Sequence, residues 1–278
     1  MAGTKFHCIC CFCLYRNNRH KETAMFLVDD YLDIEDPATK RTWHVPVREI
    51  TAVDADVSER WMVNARLHPR RFREIVPAPF LEPQLVDDSV VLALCAIRMR
   101  HAAPIWAPLN MGPASMNCAL RVACRDTRTG TPVVWVANRY TDSVLAPALG
   151  KLGFPQVYGG LRDLGGPGRL DLRAGDGLVQ VSAAPGGGPS PELFPDAAQL
   201  GAFIAAGVRS YGPGSGPGRY AVVDLEKRAD NVFHACHGWE GRLRTPWGDC
   251  TVDGVYLTTD GIYRWTSHGQ VDQRGMEV

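Results

Sequence analysis

Residues 117–125, Asn-Cys-Ala-Leu-Arg-Val-Ala-Cys-Arg, run through Asp-Thr-Arg-Thr-Gly (126–130) into residues 132–139, Pro-Val-Val-Trp-Val-Ala-Asn-Arg. Two stretches rich in β-branched and apolar residues, joined by a short polar segment that contains glycine, are the sequence form of an antiparallel hairpin. Side chains alternate along a strand, so Asn117, Ala119, Arg121, Ala123 and Arg125 share one face. Met116, Cys118, Leu120, Val122 and Cys124 share the other. The second face is apolar and suits packing against an outer layer. The first is small or polar; in a closed sheet its alanines leave room and Asn117 and Arg121 supply polar contacts to a ligand. An ordinary strand with one solvated face fits the same pattern.

Upstream, residues 89–100 are apolar on both faces until Arg98 and Arg100, as in a strand packed between two layers. Residues 51–57 read as extended, and 58–63 lead into a helix over 69–75. Pro69 suits the first helical turn, and Pro77 and Pro79 end the helix. Downstream, residues 169–182 read as a hairpin around the Ala-Gly-Asp-Gly at 174–177. Residues 196–208 form the clearest helix, with Asp196 as N-cap and Leu200, Phe203, Ile204 and Val208 on one face. Strands follow at 220–224, 232–237, 254–258 and 261–265. No internal repeat is present, which disfavours solenoids and propellers.

The chain has 278 residues with 45% apolar content, enough for a large core without disulfides or metals. Its 30 basic and 30 acidic side chains cancel, so it lacks the basic footprint of a nucleic-acid binder. The longest apolar runs are strand-sized, well below the roughly 20 residues of a membrane-spanning helix. With no cleavable secretory pattern, the expectation is a cytoplasmic protein. Homo-oligomerisation is permitted but not established by this charge balance.

Four of the nine cysteines, Cys8, Cys10, Cys11 and Cys13, crowd into six residues beside His7. An odd total argues against a disulfide framework. Structural zinc sites draw ligands from separated knuckles, whereas this is one run without a second half. We read residues 1–24 as a leader without chemistry, with a metal site or reversible lipid attachment as alternatives, and 25–278 as one domain. No metal or cofactor is expected. Neither a Gly-x-Ser-x-Gly elbow nor a dinucleotide glycine pattern is found. His234 lies in the dense patch His-Ala-Cys-His (234–237), read as structural, with a general acid or base as the alternative.

A further set of segments carries a resemblance. His-Pro-Arg-Arg-Phe (68–72) precedes Ile-Val-Pro (75–77); then come Ile-Arg-Met-Arg (97–100), Leu-Arg-Val (120–122) running into Arg125 and Asp126, Gly-Phe-Pro (153–155), and a late stretch containing Trp247. In order and spacing, over roughly residues 61–268, the chain resembles the acetoacetate-decarboxylase-like superfamily, and most closely its largely uncharacterised branch lacking the Schiff-base lysine. The resemblance implies an α+β fold: a mostly antiparallel, curled sheet forming a barrel-like cavity with a few covering helices.

In the true decarboxylases, Gly-Phe-Pro is followed by the lysine that forms an imine; here that position is Gln156. On the same alignment Asn117 stands where the family has an acidic partner. Lys151, five residues before Gln156, is the one substitute amine nearby. The implied ligand is a small carbonyl compound or carboxylate. The expected function is non-covalent aldol, dehydration or cyclisation chemistry on a keto acid or polyketide-like carbonyl of secondary metabolism. Arg98 or Arg121 would hold the anion, Gln156 and Asn117 would polarise a carbonyl, and Tyr140, Tyr158 or His234 would move a proton. The alternatives are a non-catalytic ligand-binding barrel and a decarboxylase using Lys151.

Overall fold

The structure, a computed structural model, describes residues 25–28, 31–35, 42–46, 50–143, 154, 157–185, 191–229, 232–234 and 239–278. Two compact units divide the chain, Met1–Arg48 and Glu49–Val278. In the first, β1 (Met25–Val28), β2 (Tyr31–Glu35) and β3 (Thr42–Pro46) form an antiparallel meander.

The second unit is built on a barrel. Its wall consists of β4 (Ala52–Leu67), β7 (Ser89–Pro104), β8 (Ser115–Asp126), β9 (Pro132–Thr141), β14 (Arg209–Pro213), β15 (Tyr220–Lys227) and β19 (Val252–Val271). Around the ring the order is β4-β7-β8-β9-β14-β15-β19, and β19 pairs back onto β4. Closure removes the exposed sheet edges that would otherwise template aggregation. Short strands extend the wall: β5 (Leu81–Pro83) on β8, β6 (Leu85–Val86) on β7, β10 (Val157–Tyr158) on β9 and β16 (Val232–His234) on β19.

Two outer layers cover the barrel. A five-stranded antiparallel sheet of β11 (Arg162–Asp163), β12 (Leu170–Ala174), β13 (Val179–Pro185), β17 (Trp239–Thr245) and β18 (Gly248–Cys250) buries Leu170, Leu172, Val181 and Leu243. These pack with Trp61, Leu94 and Leu120 of the wall. On another side a 3-10 turn (Pro69–Arg71) and α1 (Phe72–Ile75) bring Phe72 and Ile75, joined by Phe80 from the turn that follows, into one cluster with Leu92, Val122 and Trp135. The segment ahead of α2 (Ala197–Ala206) packs Leu193 and Phe194, with Leu200 of the helix, against Met62, Val91 and Tyr256 of the interior cluster.

The expected α+β barrel is therefore what the chain forms, and the 117–139 hairpin is its β8–β9 pair, turning at Gly130 with φ +71°. Element boundaries differ in places. The strand expected to end near 57 runs through Leu67, because both faces of 58–67 are buried between the interior and the outer sheet. The 69–75 helix is a 3-10 turn plus one helical turn. The strands at 254–258 and 261–265 are one strand, bent at Asp260 with φ +51°. β17, polar at alternate positions, was not foreseen, and β16 ends at His234. No helix among the described residues is long and apolar enough to cross a membrane. Residues 1–24, with the Cys8, Cys10, Cys11 and Cys13 run, lie outside the described residues.

Candidate functional site

A cavity of about 240 Å³ opens inside the barrel, at the end where β4 begins and β7 finishes. Val53, Ile97, Met99, Phe154, Val157 and Trp265 give it apolar walls. Its polar lining comes from Cys95, Ser115, Asn117, Arg121, Arg139 and Ser143. No carboxylate and no histidine lines it among the described residues.

Local strand geometry explains these positions. On β8 the small-or-polar face turns inward, so Asn117, Ala119 and Arg121 all line the cavity. Ala119 is flanked by Cys95 on β7 and Arg139 on β9, and its short side chain leaves room for both. Along β9 the register slips by one residue: Leu120 pairs Asn138 and Arg121 pairs Val136, leaving Ala137 over. A bulge of this kind exchanges the faces of a strand. With Val134 and Val136 sharing the face of Ala123 and Arg121, an unbulged β9 would point Asn138 and Tyr140 inward; the extra residue turns Arg139 inward instead.

The same device acts on β4. Val57 pairs Met99 and Glu59 pairs Arg98, so Ser58 is the extra residue, its hydroxyl donating to the Arg98 carbonyl at 3.1 Å. Beyond it Arg60 joins the interior face, 7% exposed, its guanidinium carbon 5.4 Å from the centre of the Tyr263 ring. Its Nε, like that of Arg121, has no hydrogen-bond partner among the described residues.

The electrostatics follow from burial and crowding. Burial, together with the charge of Arg121, pulls Arg139 down to about 10. Burial and the charge of Arg60 likewise lower Arg121, against the attraction of Cys95. Burial disfavours a Cys95 thiolate, but Arg121 and Arg60 together outweigh it and hold the thiol below its ordinary range. Cys118 has no such neighbours, and burial pushes it up to about 12.

Of the residues singled out from sequence, Asn117 and Arg121 meet in this cavity. The Asn117 amide donates to the Ser115 hydroxyl at 2.9 Å and faces the Met99 sulfur at 3.3 Å, so its donors are already engaged. Tyr140 borders the cavity, but its hydroxyl accepts from Asn138 at 3.0 Å and lies against Gly175, where an added Cβ would be 3.1 Å away. Tyr158 is 46% exposed and lies against Tyr140, ring centres 5.8 Å apart.

Arg98 does not reach the cavity. Lying between the lining residues Ile97 and Met99, it projects from the opposite face, where it pairs with Glu59 and, at 2.8 Å, with Asp163. His234 ends β16, paired with Leu257. Lys151 and Gln156 lie outside the described residues, although Phe154 and Val157, which bracket residues 155–156, line the cavity. Cys95, Arg139 and Arg60 were missed; no composition or spacing signal marks the two bulges that turn the arginines inward.

No family model matches the chain, and no curated protein matches it in sequence. Solved structures do. The acetoacetate decarboxylase of Legionella pneumophila aligns at 12% identity over 92% of this chain and 99% of its own, with a TM-score of 0.54. An acetoacetate decarboxylase-like enzyme from Sphingomonas wittichii RW1 aligns at 14% identity over 82% and 95%, with a TM-score of 0.53. A further acetoacetate decarboxylase aligns at 14% identity over 80% and 89%, with a TM-score of 0.50. The closed barrel with its interior cavity is accordingly the acetoacetate-decarboxylase-like fold.

Proposed function

We propose that the barrel binds a small keto acid and enolises it without an imine, as the first step of aldol, dehydration or cyclisation chemistry. One observation carries this reading: Arg121 and Arg139 line a largely apolar cavity in which, among the described residues, no carboxylate opposes them. Burying a cation without a partner costs several kcal/mol, and an anionic ligand offsets that cost. The names of the solved neighbours, acetoacetate decarboxylases, support a carbonyl acid.

In this scheme the guanidinium groups hold the carboxylate and stabilise charge developing on the enolate oxygen. Ser115, oriented by Asn117, and Gln156, whose neighbours Phe154 and Val157 line the cavity, bind the carbonyl. The Cys95 thiolate takes the α-proton, since it is the lining acid that the neighbouring arginines hold below its ordinary range. Tyr140, with its hydroxyl bound to Asn138, is a poorer proton carrier.

Proton NMR in D2O tests the scheme directly, by following α-proton exchange of pyruvate and acetoacetate. Exchange that drops at least tenfold in Cys95→Ala and in Arg121→Met supports it. Binding without exchange moves the protein to the second reading, a ligand-holding barrel, which the absence of histidine and carboxylate from the described lining favours. A mass increase at Lys151 on borohydride trapping would instead establish the imine route.

A further inference from the structure

The interior cations outnumber what a single carboxylate can neutralise. Arg60, Arg121 and Arg139 belong to three different strands, β4, β8 and β9, and are turned into one barrel interior. Arg121 and Arg139 border the cavity directly. Arg60 lies deeper, with Nε unpartnered, stacked over Tyr263 and adjacent to Cys95, which itself lines the cavity. Among the described residues the acidic groups beside these cations are the Cys95 thiol and the Tyr263 phenol, and neither is a carboxylate. Even with the thiol ionised, three guanidinium groups would face no more than one thiolate, so two or more of their charges stay unopposed by a carboxylate.

We infer that the ligand of this cavity is a dicarboxylate, a small keto acid carrying one carboxylate at the Arg121–Arg139 pair and a second toward Arg60. The inference rests on the carboxylate reading proposed above and specifies its substrate class. A compact dianion such as phosphate fits less well. β4 and β9 are three strand spacings apart along the wall, about 14 Å at roughly 4.8 Å each, so the cations form an arc rather than a single cradle. The described lining also offers no helix N-terminus of the kind that cradles phosphate. Two carboxylates separated by one or two methylenes span an arc; one phosphorus centre does not.

Arg60 is buried against the Cys95 thiol and the Tyr263 ring, and replacing a buried charge by an apolar side chain of similar length is often neutral or stabilising, so Arg60→Met is a variant expected to fold.

The test uses the full chain and calorimetric titration with 2-oxoglutarate, its 5-methyl ester, pyruvate and inorganic phosphate. The expected result is a dissociation constant at least tenfold lower for the diacid than for the ester, because the two differ by one charge at nearly constant shape. Arg60→Met is expected to fold with an unchanged or higher Tm and to bind the diacid and the ester equally. Should Arg60→Met fail to fold, Arg60→Gln takes its place, with the same loss of preference for the diacid. Equal binding of ester and diacid by the unmodified protein overturns the inference and leaves the keto-acid reading standing. Phosphate binding as tight as the diacid also overturns it. Binding of none of the acids removes both readings together.

Discussion

Successive side chains of a strand go to opposite faces, and this separates two arginines that look equivalent in sequence. Arg121 enters the barrel, whereas Arg98 joins Glu59, 9% exposed, and Asp163 of the covering sheet. Glu59 also accepts from the Trp61 indole at 3.0 Å and the Gly168 amide at 2.9 Å. Arg98→Met should therefore cost about 3 kcal/mol, the usual order when a buried pair loses one member, while leaving keto-acid affinity unchanged. Urea unfolding and titration calorimetry read the two quantities separately; a loss of affinity at full stability would contradict the assignment. Cys95 supplies a second residue-scale prediction. Free thiols react with iodoacetamide at least as fast as with iodoacetate, but here the flanking arginines attract the anion and depress the thiol pKa. Iodoacetate should alkylate Cys95 faster than iodoacetamide, the ratio reversing in Arg121→Met, as peptide mass mapping would show. Because the thiolate is the reactive form, alkylation should rise with pH through a midpoint below the ordinary thiol range of about 8.5.

At the scale of elements, bulges and close approaches decide what faces the ligand. The extra residues Ser58 on β4 and Ala137 on β9 each exchange the faces of their strand, and the interior gains Arg60 and Arg139 as a result. On β14, Gly212 leaves space for the inward arginine: a Cβ there would lie 2.9 Å from the Val136 carbonyl oxygen and 3.4 Å from Nη1 of Arg139. Gly212→Ala must shift β9 backbone or displace the guanidinium. We expect a stability loss of about 1–3 kcal/mol, typical of overpacking, and keto-acid binding weakened beyond that of a distant control such as Arg98→Met. Unaltered affinity would show that Arg139 does not hold the ligand. The α2 helix was legible because its signals are local: the Asp196 carboxylate accepts from the Gln199 amide at 2.7 Å, the capping bond expected from sequence. The bulges were not legible, since one surplus residue in an alternating strand leaves no compositional trace.

Across the whole molecule, ion pairs tie neighbouring strands of the ring. A hydrogen bond and charge from Arg264 on β19 hold Asp54 of β4 below its ordinary value. Arg209 of β14 does the same for Asp224 of β15, helped by His268. Burial would raise Asp126, but Arg128 outweighs it and the net shift is downward. A carboxyl with a depressed folded-state pKa stabilises the fold fully above its unfolded pKa, and that contribution is lost as pH falls through the folded value. The urea midpoint should thus decline below about pH 4, and Asp54→Asn should make that decline shallower. An unchanged acid limb in Asp54→Asn would show that this pair adds nothing to ring stability.

What the sequence determined by itself is the part of the fold written in local periodicity. The alternation in 117–125 and the turn at 126–130 specify a hairpin with one apolar face, and that hairpin is β8–β9 with Asn117 and Arg121 facing inward. The ordered segments from His68 to Gly153 pointed to the acetoacetate-decarboxylase-like barrel, and the barrel is what forms. Ring closure, the partnership of Arg98 with Glu59 and Asp163, and the entry of Arg60 and Arg139 were decided only in the tertiary structure. The physical reason is that strand periodicity states which residues share a face, not which face is inside. That choice depends on the register between strands, and here two single-residue bulges set it.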